Sequence, residues 1–369
     1  MKNERMRIMT DLARFDWNRL TANWEAWWRG ELRRPMVHVR IEAPPGAVDA
    51  YPLHYMSMYD FSVPAEEILA VQEEYLKRCT YLADSYPSCW LNFGPGVLAA
   101  MIGGEGHNGE NTVWFTPGRW ENCDAAGIRP AFDPASPWFR RIEELCRAAD
   151  RLWNGKIHLG CTDLGGALDV ISSLLPGERL LYALYDSPDE IKRLTREIHT
   201  AWFEAFRRIN ALLPANRGYS AWDGMFSGKP FYMLQCDFCY MISPEMFAEF
   251  VLPELAESCR RLDRSFYHLD GKGELPHLPQ LLSIPELGGI QWVPGAGETP
   301  YYEWIDVYRA VADAGKRIWI NIDGDFDSAA RLIDAVGRPE LFVVRGGIGP
   351  EREPELRDFL RRYSVPASE

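Results

Sequence analysis

Polar residues able to hold an ion or move a proton recur at the ends of short apolar runs in this chain. One run ends in His268-Leu269-Asp270-Gly271, with the imidazole and the carboxylate two positions apart. Residues i and i+2 of a strand point to the same side, so the pair can converge on one ion or one proton. Another run ends in Cys236-Asp237-Phe238-Cys239. Its cysteines form a lone CxxC, without the second pair that a zinc ribbon requires. Asp237 is the sharper residue there. An aspartate after a strand is often only a helix cap, but Ser243 already offers the cap for the following helix. Asp323-Gly324-Asp325 closes a third run, and Asp327 or Ser328 is better placed than Asp323 to cap the next helix. Asn92, Cys161-Thr162-Asp163, Trp292 and Arg345 stand at or just past the ends of further runs, and Trp222 precedes Asp223-Gly224. A guanidinium such as that of Arg345 suits a carboxylate.

The runs themselves lie at 36–41, 88–92, 156–161, 231–236, 265–269, 289–293, 316–322 and 341–345. Between them are helical patterns. Ser136-Pro137, Ser187-Pro188, Ser243-Pro244 and Thr299-Pro300 each set a capping hydroxyl before a proline, whose missing N–H costs nothing at a first helical position. After Pro188, Ile191, Leu194, Ile198, Trp202, Phe206 and Ile209 make one helical stripe, and residues 64–83 and 300–314 read the same way. Eight strands separated mostly by helices imply parallel pairing through helical crossovers. The count favours a (β/α)8 TIM barrel of the α/β class over a doubly wound sheet. Residues 1–30 add an amphipathic helical region with Leu20, Trp24, Trp27 and Trp28 on its apolar face. The expected organisation is a helical extension over 1–35 and a single barrel domain over 36–365. A barrel gathers its working residues at the C-terminal ends of its strands, where the polar residues above fall.

Composition narrows the partners. With 47% hydrophobic and 25% charged residues, the chain can build a sizeable core. A net charge of −13 leaves no basic footprint for nucleic acid, and any acidic ligand needs a local basic pocket. No apolar run approaches the ~18–20 residues that cross a bilayer. The first residues lack a signal pattern, so a cytoplasmic location with the eight cysteines reduced is expected. The many aromatic residues in Gly/Pro loops point to an aromatic-walled pocket for a small molecule.

Three stretches carry a resemblance: Gln235-Cys236-Asp237-Phe238-Cys239-Tyr240-Met241-Ile242-Ser243-Pro244-Glu245-Met246-Phe247, then Phe250-Val251-Leu252-Pro253, then Tyr267-His268-Leu269-Asp270-Gly271. Together they resemble the uroporphyrinogen decarboxylase-like superfamily, which includes zinc-dependent methyltransferases that work with corrinoid proteins. The loop Asn92–Gly96, Thr112-Val113-Trp114-Phe115 and Asp163-Leu164-Gly165-Gly166-Ala167-Leu168-Asp169 look like a poorly characterised branch of it. The resemblance spans nearly the whole chain and implies a (β/α)8 barrel. The decarboxylases carry an RQAGR segment after the first strand; here it reads Val39-Arg40-Ile41-Glu42-Ala43-Pro44-Pro45-Gly46, with one arginine and a new acid, which argues against an octacarboxylate substrate. The methyltransferases hold zinc with a His-x-Cys pair and a later cysteine. His268 matches the histidine, Asp270 stands in the first cysteine's place, and Asp323 or Asp325 lies near the later position. Carboxylates are harder ligands than thiolates, so zinc would become more Lewis-acidic and other divalent ions could compete.

What the resemblance implies, taken with these residues, is a metal-assisted methyltransferase acting on a small methylated substrate. Zinc or another divalent metal would sit on His268 and Asp270, with Asp323 or Cys236 as third ligand. Asp237, with His268, would do the proton chemistry. Asn92, Asp163, Trp222, Trp292 and Arg345 would form the substrate pocket. The chain has no Asp-x-His-x-x-Gly corrinoid signature, so a corrinoid would arrive on a separate protein; a homodimer is the other partner to consider. Two alternatives stand beside this: a metal-independent decarboxylase or lyase of a small acid, with Arg345 and Arg40 holding carboxylates, and a non-catalytic small-molecule-binding barrel.

Overall fold

A computed structural model describes residues 9–322 and 324–367. Each apolar run becomes a strand: β1 (Met36–Ile41), β2 (Ser88–Trp90), β3 (His158–Gly160), β4 (Phe231–Gln235), β5 (Arg264–Asp270), β6 (Gly289–Val293), β7 (Arg317–Asn321) and β8 (Phe342–Ile348). β4 to β8 pair in chain order, and β8 pairs with β1, every ladder parallel. β2 and β3 form a separate parallel pair. The last strand thus returns to the first, as a cylinder requires, yet the closed eight-stranded ladder expected from the strand count is not formed among the described residues. Two seams interrupt it, and loop segments satisfy the backbone there. Beside β1, Thr80–Tyr81 runs antiparallel, and the Val37 N–H donates to the Asp84 carboxylate at 3.0 Å. Beside β3, the Cys161 N–H donates to the Ser220 carbonyl at 2.9 Å.

The helices follow the stripes, with local corrections. Pro188–Ala211 buries Ile191, Leu194, Ile198, Trp202, Phe206 and Ile209. The helix expected over 64–83 is Ala65–Arg78, because the chain turns into the short strand beside β1. Only Ser243 uses its hydroxyl as the proline pattern predicts, accepting from the Met246 N–H at 3.3 Å. Ser136 instead donates to the Ala100 carbonyl at 2.8 Å, Ser187 makes no side-chain cap bond, and Pro300 leads into the 3-10 turn Tyr301–Glu303 ahead of the helix Ile305–Asp313. A hairpin of Glu105–Asn108 and Val113–Thr116 follows no period the sequence makes obvious.

The helix α1 (Trp17–Trp28) covers the strands' N-terminal ends. Glu25 pairs with Arg264 at the start of β5 (2.6 Å), and Arg317 at the start of β7 donates to the Trp28 carbonyl at 2.6 Å. The indole N–H groups of Trp27 and Trp28 donate to the Glu340 and Phe226 carbonyls at 2.8 and 2.9 Å. That end is closed by large apolar rings, so the opposite end is the one free to carry chemistry.

Candidate functional site

The C-terminal end of β5 presents His268 and Asp270 on one face, as their spacing predicts, with Nε2 3.8 Å from the Asp270 carboxylate. Gly271 then turns the chain in the left-handed region (φ 82°), where a Cβ would also meet the Tyr240 ring at 2.9 Å. Asp237 arrives from the neighbouring strand tip, in the 3-10 turn Asp237–Met241 after β4. One ligand atom each from Asp237, His268 and Asp270 lies within 4.8 Å of the others, Asp237 exposed and the other two half-buried. A nitrogen and two carboxylates make a donor set for zinc or a harder divalent ion.

Each member is held from behind. The parallel register sets His268 beside Gln291 of β6, and the imidazole Nδ1 lies 2.7 Å from the Gln291 side-chain oxygen. A carbonyl oxygen can only accept, so Nδ1 carries the proton and Nε2 faces the two carboxylates. Burial disfavours the imidazolium, but the Asp270 hydrogen bond and the Asp237 charge outweigh it and hold His268 above its ordinary value. Beside Asp237, the Phe238 N–H donates to the Asp169 carboxylate at 2.8 Å, and the Gly166 N–H binds its other oxygen at 3.2 Å. Burial, then repulsion from Asp237, pushes Asp169 up to about 8. Neither Gln291 nor Asp169 stood out in the sequence as a supporting residue. A parallel-strand register exposes the first only in three dimensions, whereas Gly-Gly-x-x-Asp at a helix start was a readable sign of the second.

The remaining candidates separate. Cys236 is buried and does not join the cluster; its free thiol donates a hydrogen bond to the Cys239 sulfur, which lies 3.6 Å from the Tyr267 hydroxyl. Both thiols share that interior with Glu274, which burial pushes up to about 11. Asp323 lies outside the described residues. Asp325 caps the helix Phe326–Val336 through the Ser328 N–H at 2.9 Å, the duty expected of Asp327 or Ser328. Asp163 is buried, accepts from the Gly165 N–H at 2.8 Å, and is pushed up to about 6, chiefly by burial. Asn92 is spent on the backbone, donating to the His54 carbonyl at 2.8 Å and accepting from the Gly94 N–H at 3.1 Å. Trp292 packs against Trp304 in a second, aromatic recess at the tips of β6 and β7.

Trp222 joins the cluster to a cavity. Its ring stands edge-on to His268 with centroids 5.0 Å apart, and it lines a space of about 350 Å³ with Arg40, Asn92 and Arg345. That volume is at the small end of ligand pockets.

No family model and no curated protein sequence matches the chain. Among solved structures, a methyltransferase from Methanosarcina mazei superposes with a TM-score of 0.61 over 94% of this chain and 99% of that one, at 15% identity. The likeness is one of fold. Among the described residues, no helix is long and apolar enough to cross a membrane.

Proposed function

We propose that the chain is a (β/α)8 barrel, interrupted at two seams, that works as a metal-assisted methyltransferase of the uroporphyrinogen decarboxylase-like superfamily. The observation that carries this reading is the convergence of Asp237, His268 and Asp270 at adjacent strand tips. The fold shared with a methyltransferase supports it at a coarser level. In this reading His268 Nε2 and the Asp270 and Asp237 carboxylates hold zinc or a harder divalent ion. Such an ion, when bound, acts as a Lewis acid that polarises a small methylated substrate. The protein's own part is positional. Gln291 fixes the imidazole tautomer, Asp169 fixes the turn that carries Asp237, and Trp222 shields His268 from bulk water. A corrinoid carried by a separate protein would be the methyl donor or acceptor. Metal analysis of protein purified without chelator tests the centre. About one equivalent per chain is expected, falling by at least about tenfold in His268→Ala and Asp270→Ala. Less than about a tenth of an equivalent in the unaltered chain would remove the metal from the scheme.

A second reading, a metal-independent lyase of a small acid, draws on the arginines of the adjoining cavity. It requires activity to survive complete chelation, which the first reading forbids.

A further inference from the structure

The chain carries a net charge of −13, yet the cavity beside the cluster is lined by two arginines and, among the described residues, by no aspartate or glutamate. Arg40 has one charged partner, Glu42 at 3.3 Å, itself 44% exposed and not part of the cavity lining. Arg345 makes no ion pair or hydrogen bond with any described residue, and its Nε is buried without a partner. Arg40 Nε and the indole Nε1 of Trp90 and Trp222 are buried and unpartnered as well. Four donors around one small cavity therefore lack acceptors. Both arginines are half-buried, and two cations that repel each other on one cavity wall favour a ligand that brings negative charge. Asp223 is the acid that most offsets Arg345, but it lies beyond ion-pair distance, one of its oxygens is unpartnered, and burial pushes it up to about 7. The walls are flat and aromatic, made by Tyr51, Tyr75, Trp90 and Trp222.

We propose that this cavity recognises the substrate's acid group and takes a flat aromatic carboxylate, about the size of a substituted benzoate. Its carboxylate lies between Arg345 and Arg40, its ring lies among the aromatic walls, and its far end points past Trp222 toward His268. A guanidinium pairs bidentately with a carboxylate or a phosphate, so it is the flat aromatic walls that favour the planar acid over a tetrahedral anion. The assignment of substrate class rests on the cluster being the reacting centre, but the pocket itself can be tested without metal.

The test is calorimetric titration and thermal unfolding of the full, chelator-treated chain with three probes: 4-methoxybenzoate, its neutral amide and inorganic phosphate. The acid is expected to bind at least about tenfold tighter than either of the others and to raise Tm. Arg345→Met is expected to abolish that rise, yet to melt no lower than the unaltered protein without ligand, because it removes a half-buried cation that has no ion pair or hydrogen bond among the described residues. Equal binding of acid and amide, tightest binding of phosphate, or no binding of the acid at ~10 mM (an affinity weaker than about 3 kcal/mol) overturns the proposal. So does a ligand-free Arg345→Met variant melting more than about 5 °C lower, which would make Arg345 a structural cation. If that variant does not fold, the acid-against-amide comparison on the unaltered chain still decides. Failure here leaves metal retention untouched, and failure of metal retention leaves this binding untouched.

Discussion

Gln291 shows how little of the proposed metal centre is visible in its candidate ligands alone. It is buried, and its amide oxygen sits 2.7 Å from His268 Nδ1. Partners of this kind orient a ligating imidazole and raise its basicity, and losing one costs about 10–100-fold in metal affinity. Gln291→Met keeps the volume and removes the acceptor. Metal titration should show a loss in that range with Tm nearly unchanged, and Gln291→Glu, which still accepts the proton, should restore most of it. If Gln291→Met binds metal as the unaltered chain does, His268 is not positioned in this way. Acid should act in the same direction. His268 is held above its ordinary value by Asp270 and Asp237, so a metal must displace a proton that the cluster keeps, and affinity should fall steadily as pH drops through the imidazole range. The i, i+2 spacing made His268 and Asp270 readable as a pair, since strand geometry is local. Gln291 was not readable, since its place beside His268 depends on the register between two strands.

Elements deliver these residues through close backbone approaches. Gly166 is the tightest near the site: a Cβ there would lie 2.1 Å from the Gln235 carbonyl oxygen at the tip of β4 and 2.7 Å from the Asp169 carboxylate. Gly166→Ala must therefore push the β4 tip from the helix start and loosen the Asp169 bond that holds the Asp237 turn. A cost of roughly 1–3 kcal/mol is expected for such overpacking, measured as a lower denaturation midpoint, together with weaker metal retention. Full stability in this variant would show that the approach is not rigid. Helix starts teach the complementary lesson. The serine-proline pattern located three helices, but only Ser243 supplies the hydroxyl bond, because Ser136 found a carbonyl in another segment. A cap motif marks where a helix can begin; packing decides what the hydroxyl does.

On the scale of the molecule, one end of the strand array is sealed and the other is open. Trp24 is fully buried in the seal and donates to the Asp84 carbonyl at 3.3 Å, at the seam beside β1. Trp24→Ala should cost roughly 3–5 kcal/mol, read from urea unfolding as a lower midpoint at nearly constant slope. Metal content should not change, because the cluster lies at the opposite end. A loss of metal at full occupancy of the fold would contradict that division of labour. The sequence by itself determined where the eight main strands and the long helices lie, since periods of two and 3.6 residues are local and each buried stripe must match its element, though not the hairpin over Glu105–Asn108 and Val113–Thr116 or the short strand Thr80–Tyr81. It also determined that polar residues cluster where strands end. The tertiary structure alone decided that Asp237 turns toward His268 while Cys236 turns inward, that two seams replace a continuous ladder, and that Arg345 lines a cavity with no ion pair or hydrogen bond to any described residue. Those outcomes depend on register, on space, and on which charges end up near one another across hundreds of residues, and none of these is carried by spacing along the chain.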